Sequence, residues 1–208
     1  MTLIDTHNHL YAEEFDENRD QAIREAIESG IGKVLLPNID VSSIERMHNV
    51  CDAWPDFAYP MMGLHPTSVN ADFEEQLTII KSHLKTREYC AIGEIGIDLY
   101  WDKTYIREQE YAFEEQLKWA IQLNLPVAIH TRDAFPEVIN CIRNAGSESL
   151  TGVFHSFTGN EAELASLLEF KNFKIGINGV ITFKNSTLQK VLKNTTIDTI
   201  ILETDAPY

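Results

Sequence analysis

Apolar, β-branched runs alternate with amphipathic helical stretches along the whole chain, and this alternation limits the fold more than any other feature. The strand candidates are TLIDTHNH near residue 5, KVLLPN from Lys33, FAYPMMGLH from Phe57 and CAIGEIGID from Cys90. They continue with PVAIHT from Pro126, TGVFHS from Thr151, FKIGINGVI from Phe173 and TIILETDAP from Thr199. Between them, Ala22, Ile23, Ala26 and Ile27 form one helical face, closed by Gly30 as a left-handed C′ residue. Ser42 and Glu45 have capping-box spacing. Phe113, Leu117, Ala120 and Ile121 mark the strongest helix, at i, i+4, i+7 and i+8. Eight strands with seven intervening helices predict an α/β fold, a TIM (β/α)8 barrel formed by residues 1–208 as one domain. An open doubly wound sheet would place a glycine-rich turn after its first strand, where this chain reads HNHLYAEEF. The last helix of the barrel is expected to be missing, because the sequence stops two residues past Ala206. Apolar surface on strands one and eight is then expected to lie uncovered.

Composition narrows the class of function. With 44% hydrophobic and 24% charged residues, the chain reads as an ordinary globular protein with enough length for one substantial core. No apolar run approaches the roughly 18 residues of a membrane span, and no secretory signal opens the chain, so no membrane association is expected. Cys51, Cys90 and Cys141 are odd in number and widely spaced, which fits a reducing cytoplasm with buried bystander thiols. The net charge of −15 argues against binding a long duplex by an outer basic surface. Any nucleic-acid substrate would need a local source of positive charge. No obligate protein partner is evident.

The histidines show where the chemistry sits. His9 ends the first strand candidate, His65 the third, His130 the fifth and His155 the sixth. In a barrel, these C-terminal strand ends gather at the rim that carries active sites. Asp5, His7 and His9 share one face of an extended segment, as do Glu94 with Asp98 and Glu203 with Asp205. His48 and His83 fall in helical stretches and read as ordinary helix residues. A lone strand-end histidine is commonly a satisfied hydrogen-bonder, but five imidazoles packed together would leave acceptors facing acceptors. Imidazoles with carboxylates suit zinc and similar divalent ions. The set exceeds what one tetrahedral ion needs, whereas two ions sharing Glu94 would use it. Such ions activate water and polarise a carbonyl or phosphoryl oxygen, with Asp205 as the candidate proton acceptor. Metal-assisted hydrolysis is therefore the expected reaction class, and no GxSxG elbow, Cys–His signature or phosphate loop competes with it.

The motifs DTHNHL, GLHP, GEIGIDLYWDK, IHTRDA, FHSFTG and ETDAPY, in that order, resemble the TatD family of metal-dependent deoxyribonucleases. That family lies within the amidohydrolase-like barrels. The likeness runs from Asp5 to Tyr208, and GEIGID, HSFTG and ETDAPY are its most specific parts. It implies a deoxyribonuclease, in many members an exonuclease, acting on DNA ends or short nucleic acid with two divalent ions (Zn, Mg or Mn). Carried over by motif, one ion would be held by His7, His9, Glu94 and Asp205, and the second by Glu94, His130 and His155. His65 and Arg132 would meet the scissile phosphate, although Arg132 could instead pair with Asp133 at the rim. Asp98 and Glu203 would orient the histidines rather than bind an ion, and Asp5 is read as a partner or orienter of His7 and His9 rather than a ligand. Family members continue past DAPY into a loop and a closing helix. A substrate gripped at its end predicts a shallow salt dependence. Two rival readings remain: a metal hydrolase of small amides, lactones or phosphoesters, and a silent binding barrel. Glu94 in place of a strand-four lysine weighs against the first, and intact ligand positions weigh against the second.

Overall fold

The structure is a computed structural model that describes residues 2–208. Its strands are β1 (Leu3–Asp5), β2 (Ile31–Pro37), β3 (Ala58–Met61), β4 (Ile92–Asp98), β5 (Val127–Arg132), β6 (Gly152–Phe154), β7 (Phe173–Ile177) and β8 (Ile200–Leu202). Seven α-helices lie between them: α1 (Arg19–Glu28), α2 (Ile44–Ala53), α3 (Phe73–His83), α4 (Ile106–Leu123), α5 (Phe135–Ala145), α6 (Glu161–Leu168) and α7 (Leu188–Val191). All strand pairs are parallel, in the ladders β1–β2–β3 and β4–β5–β6–β7–β8.

Hydrogen bonds at both seams close the ladders into a TIM barrel. At β3–β4, Cys90 N–H donates to Pro60 O (3.0 Å) and Gly93 N–H to Met62 O (3.1 Å). At β8–β1, Thr6 N–H donates to Leu202 O (3.2 Å) and Asp205 N–H to His7 O (2.9 Å). Leu3, Ile4 and Leu202 are exposed at this second seam, as expected for strands one and eight without an eighth helix over them.

Alternation along the strands sorts side chains between the helical layer and the barrel interior. In β5, Val127 and Ile129 join the core packed under α4 and α5, so Ala128 and His130 face inward. In β4, Ile92, Ile95 and Ile97 all join that outer core. Strict alternation would put Ile92 and Ile95 on opposite faces. The register accommodates both, because Ile92 pairs with Val127 and Ile95 with Ile129, three steps on β4 against two on β5. This extra residue turns Glu94 and Asp98 inward together. The interior below them is plugged by Met61, Ala91 and Ala128, with Leu35, Cys90 and Val153 against them.

Two local expectations change. The capping box before α2 is formed by Asp40 and Ser43 rather than Ser42 and Glu45, because a 3-10 turn at Val41–Ser43 precedes the helix. The first strand ends at Asp5, so His7 and His9 lie beyond the ladder. Gly30 adopts φ 96° behind α1, as the C′ reading requires. All three cysteines are free, and burial pushes each thiol up to about 12.

His48 in α2 sits against Tyr89 and His83, where burial, and next the Arg87 charge, push it down from 6.5 to about 4. Between pH 4 and 6.5 the unfolded chain therefore binds a proton that the folded protein does not, and stability rises with pH across that window. Because His48 is only half-buried, the expected size is about 1 kcal/mol. Urea denaturation at about pH 4.5 and 7 should show a shallower pH dependence in His48→Gln. An unchanged difference would contradict this assignment.

Candidate metal centre

The inward side chains converge at the C-terminal mouth of the barrel, and the two oxygens of Glu94 divide between two groups of imidazoles. Oε2 lies 3.0 Å from His7 Nε2 and 3.8 Å from His9 Nε2. Oε1 lies 3.0 Å from His130 Nδ1, 3.4 Å from His65 Nε2 and 3.9 Å from His155 Nε2. Asp205 divides in the same way, with Oδ1 3.8 Å from His7 Nε2 and 3.5 Å from His9 Nε2, and Oδ2 3.3 Å from His155 Nε2. Every candidate residue except Arg132 is thus drawn into one cluster. Arg132 ends β5 at its edge.

The donor atoms fit divalent ions. Ligands about 2.0–2.2 Å from a tetrahedral ion stand roughly 3.3–3.6 Å apart. The nitrogens of His7 and His9 stand 3.0 to 3.8 Å from their carboxylate oxygens. Ligating nitrogens must also be free of protons, and the hydrogen bonds at the far side of two rings decide this. Tyr11 Oη donates to Pro37 O (2.5 Å), so it accepts from His9 Nδ1–H (2.9 Å) and leaves His9 Nε2 bare. Conversely, His65 Nδ1 accepts the Thr67 backbone N–H (3.2 Å), which puts the proton of a neutral His65 on Nε2. Burial holds His65 below its usual value and keeps it neutral. His9 is therefore arranged as a ligand, and His65 as a donor aimed into the cavity.

The remaining rings are oriented by carboxylates. Asp98 Oδ2 lies 2.9 Å from His130 Nε2, and Glu203 Oε1 lies 3.1 Å from His155 Nδ1. Glu203 has room for this because Gly176 has no side chain; a Cβ there would come within 2.2 Å of its Oε2. Burial alone would lower both histidines, but their carboxylate partners outweigh it and raise His130, and raise His155 well above 6.5. Glu94 is the reverse case. Burial raises it, yet its close contacts with the His7, His65, His155 and His130 imidazoles hold it well below the carboxylate range. His7, buried and stacked on His155 with ring centroids 3.3 Å apart, is pushed down to about 3, by burial first and the His155 charge next. A buried cluster that needs protonated rings to balance its carboxylates is one where a divalent ion can replace those protons.

Asp5 partners His7 through the backbone. It accepts from His7 N–H (3.3 Å), Asn8 Nδ2 (2.9 Å), Thr204 N–H (2.9 Å) and Thr204 Oγ1 (2.6 Å). Because β1 stops at Asp5, its carboxylate faces the β8 exit and fastens the two segments that carry His9 and Asp205. Tyr11 is a residue of the cluster that the motifs did not single out. Its i+2 spacing from His9 was the available signal, although the pairing depends on where Pro37 O falls. Backbone strain marks the same rim: Asp133, Ser156 and Asp205 have φ of 51°, 47° and 61°.

A cavity of about 640 Å³ opens over the cluster and includes His9, His65, Glu94, Trp101, Arg132 and Asp205 in its walls. Among the described residues, no helix is long and apolar enough to cross a membrane.

A family profile described as "TatD related DNase" matches residues 4–208. The chain is 35% identical over 207 residues to the uncharacterized metal-dependent hydrolase YabD of Bacillus subtilis, covering 99% of this chain and 80% of that protein. It is 30% identical over 213 residues to a protein of Pectobacterium parmentieri named 3'-5' ssDNA/RNA exonuclease TatD, again over 99% and 80%. The crystal structure of the Escherichia coli TatD homologue YjjV superposes with a TM-score of 0.90 at 28% identity, over 99% of this chain and 79% of that one.

Proposed function

The chain belongs to the TatD family of metal-dependent hydrolases, and on that premise we propose that it cleaves phosphodiester bonds at the ends of DNA or short nucleic acids, using two divalent ions. The observation that carries this reading is the division of the Glu94 and Asp205 oxygens between two sets of imidazole nitrogens. One carboxylate facing two groups of donors is what a paired-ion site needs. His7, His9, Glu94 and Asp205 would hold one ion, and Glu94, His130 and His155 the other. Ions bound there would supply an activated water and polarise a phosphoryl oxygen.

The chain's own groups do the rest. Asp205, which burial would raise but which its bond from His155 holds well below the carboxylate range, stays ionised and accepts a proton from the attacking water. His65 Nε2–H donates to a phosphoryl oxygen, and the Arg132 guanidinium offers further donors to it. Tyr11, Asp98 and Glu203 keep the His9, His130 and His155 rings in place. A strand end needs few phosphate contacts, which reconciles a charge of −15 with a polyanionic substrate.

The test uses metal-stripped protein, end-labelled single- and double-stranded DNA, and magnesium, manganese or zinc added in turn. Stepwise release of label should require an ion. It should fall on the order of 10²- to 10³-fold in His9→Ala and in Asp205→Asn. Cleavage that survives both substitutions would place the activity elsewhere. No cleavage with any ion would favour a small-molecule substrate.

A further inference from the structure

Two aromatic rings follow β4 at the cavity mouth, and the metal centre has no use for them. Trp101 is 70% exposed and Tyr100 is 53% exposed, with their rings edge to face at 4.9 Å. The Arg132 guanidinium lies 3.8 Å from the Tyr100 ring centroid and 5.2 Å from that of Trp101. Among the described residues it makes no ion pair with a carboxylate, Asp133 included. A free guanidinium is notable in a chain with 32 acidic and only 17 basic residues. Tyr100 therefore holds Arg132 in place without neutralising it.

Asp98 ties this assembly to the centre. Its Oδ1 accepts the backbone N–H of Tyr100 (3.0 Å) and of Trp101 (3.4 Å), while Oδ2 faces His130 Nε2 at 2.9 Å. One carboxylate thus fixes both the aromatic loop and a ring of the metal centre. Trp101 and Arg132 line the cavity over the cluster, and Arg132 with Tyr100 also lines the adjoining cleft of about 670 Å³. Exposed π-faces beside an unpaired cation match a ligand made of flat rings joined by phosphates.

We propose that Trp101, Tyr100 and Arg132 form a subsite for an unpaired nucleobase and its flanking phosphate, which selects single-stranded over paired ends. The proposal rests on the phosphodiesterase reading. A base inside a duplex has both faces stacked and cannot offer one to Trp101, so a paired end must fray before it can bind.

Two measurements on the ion-loaded protein test it. The first is the ratio of kcat/KM for a single-stranded oligonucleotide to kcat/KM for methyl p-nitrophenyl phosphate, a phosphodiester that carries no base. Trp101→Ala should lower this ratio roughly 10- to 100-fold, Trp101→Phe should largely restore it, and the preference for single over double strands should shrink. Tyr111→Ala, an exposed aromatic of α4 outside the cavity, should leave the ratio at its parent value. The second is tryptophan fluorescence during titration with a non-hydrolysable phosphorothioate oligonucleotide. Quenching should occur in the parent and vanish in Trp101→Phe, because Trp119 is buried and Trp54 lies away from the cavity. An unchanged ratio in Trp101→Ala, or quenching that persists in Trp101→Phe, would overturn the subsite while leaving the phosphodiesterase reading intact. If the parent cleaves neither substrate, the phosphodiesterase reading fails, and the fluorescence titration alone decides the subsite.

Discussion

Replacing Glu94 with glutamine is expected to lower kcat/KM on the order of 10³-fold and to remove divalent-ion binding from both halves of the centre. The substitution keeps the shape of the side chain but exchanges one oxygen for an NH2 group, which cannot ligate. Glu94 is 3% exposed, and its two oxygens serve different imidazoles, so no neighbour can swing in to replace it. Equilibrium dialysis with manganese measures ion stoichiometry directly, and phosphodiester hydrolysis supplies the rate. A variant that still bound two ions would show that Glu94 does not bridge, whatever its activity. Loss of activity with both ions retained would instead assign Glu94 to the reaction.

The largest expected effect on stability comes from Gly96→Ala. Gly96 has φ +146°, and a Cβ there would meet the His130 carbonyl oxygen at 2.0 Å, a backbone atom that cannot rotate away. Strain of this kind, added to the forced separation of β4 and β5, is expected to cost about 3 kcal/mol or more. In a chain of this size that lowers the thermal midpoint by roughly 6–12 °C. Gly146→Ala is the informative contrast. Its φ is +97°, but no atom lies within 4 Å of where its Cβ would stand, so only the left-handed backbone penalty of about 1–2 kcal/mol applies. Thermal denaturation of the two variants separates steric clash from backbone preference. Equal midpoints would mean that β5 does not press on β4 at this residue. Since Glu94 and His130 sit on these two strands, Gly96→Ala should also weaken ion binding in the fraction that folds.

Much of the centre was legible because a barrel converts chain order into spatial convergence. His65, His130 and His155 are far apart in sequence, yet each lies near or beyond the C-terminal end of a β run, and parallel strands bring those ends to one rim. Glu94 and Asp98 were correctly read as sharing a face, since the extra residue in β4 leaves the two turned inward together. The HxH spacing brings both rings to Glu94 and Asp205, even though the regular strand stops before them. His7 and His9 lie beyond β1, and Asp5, read as their partner or orienter, accepts the His7 N–H together with groups of Asn8 and Thr204.

Local patterning was enough to give the order of strands and helices, the barrel, and the set of imidazoles and carboxylates at its mouth. Each of these follows from residue periodicity and from the rule that parallel strand ends meet. Which nitrogen is bare in His9 and which carries the proton in His65 follow from the packed chain. His9 Nε2 is free because Tyr11 is held by Pro37 O, and His65 Nε2 carries its proton because Thr67 N–H occupies the other side. Packing also rests Arg132 on Tyr100 rather than pairing it with Asp133. Proton positions and side-chain partners depend on atoms distant in sequence arriving within about 3 Å of each other, and no spacing along the chain encodes that.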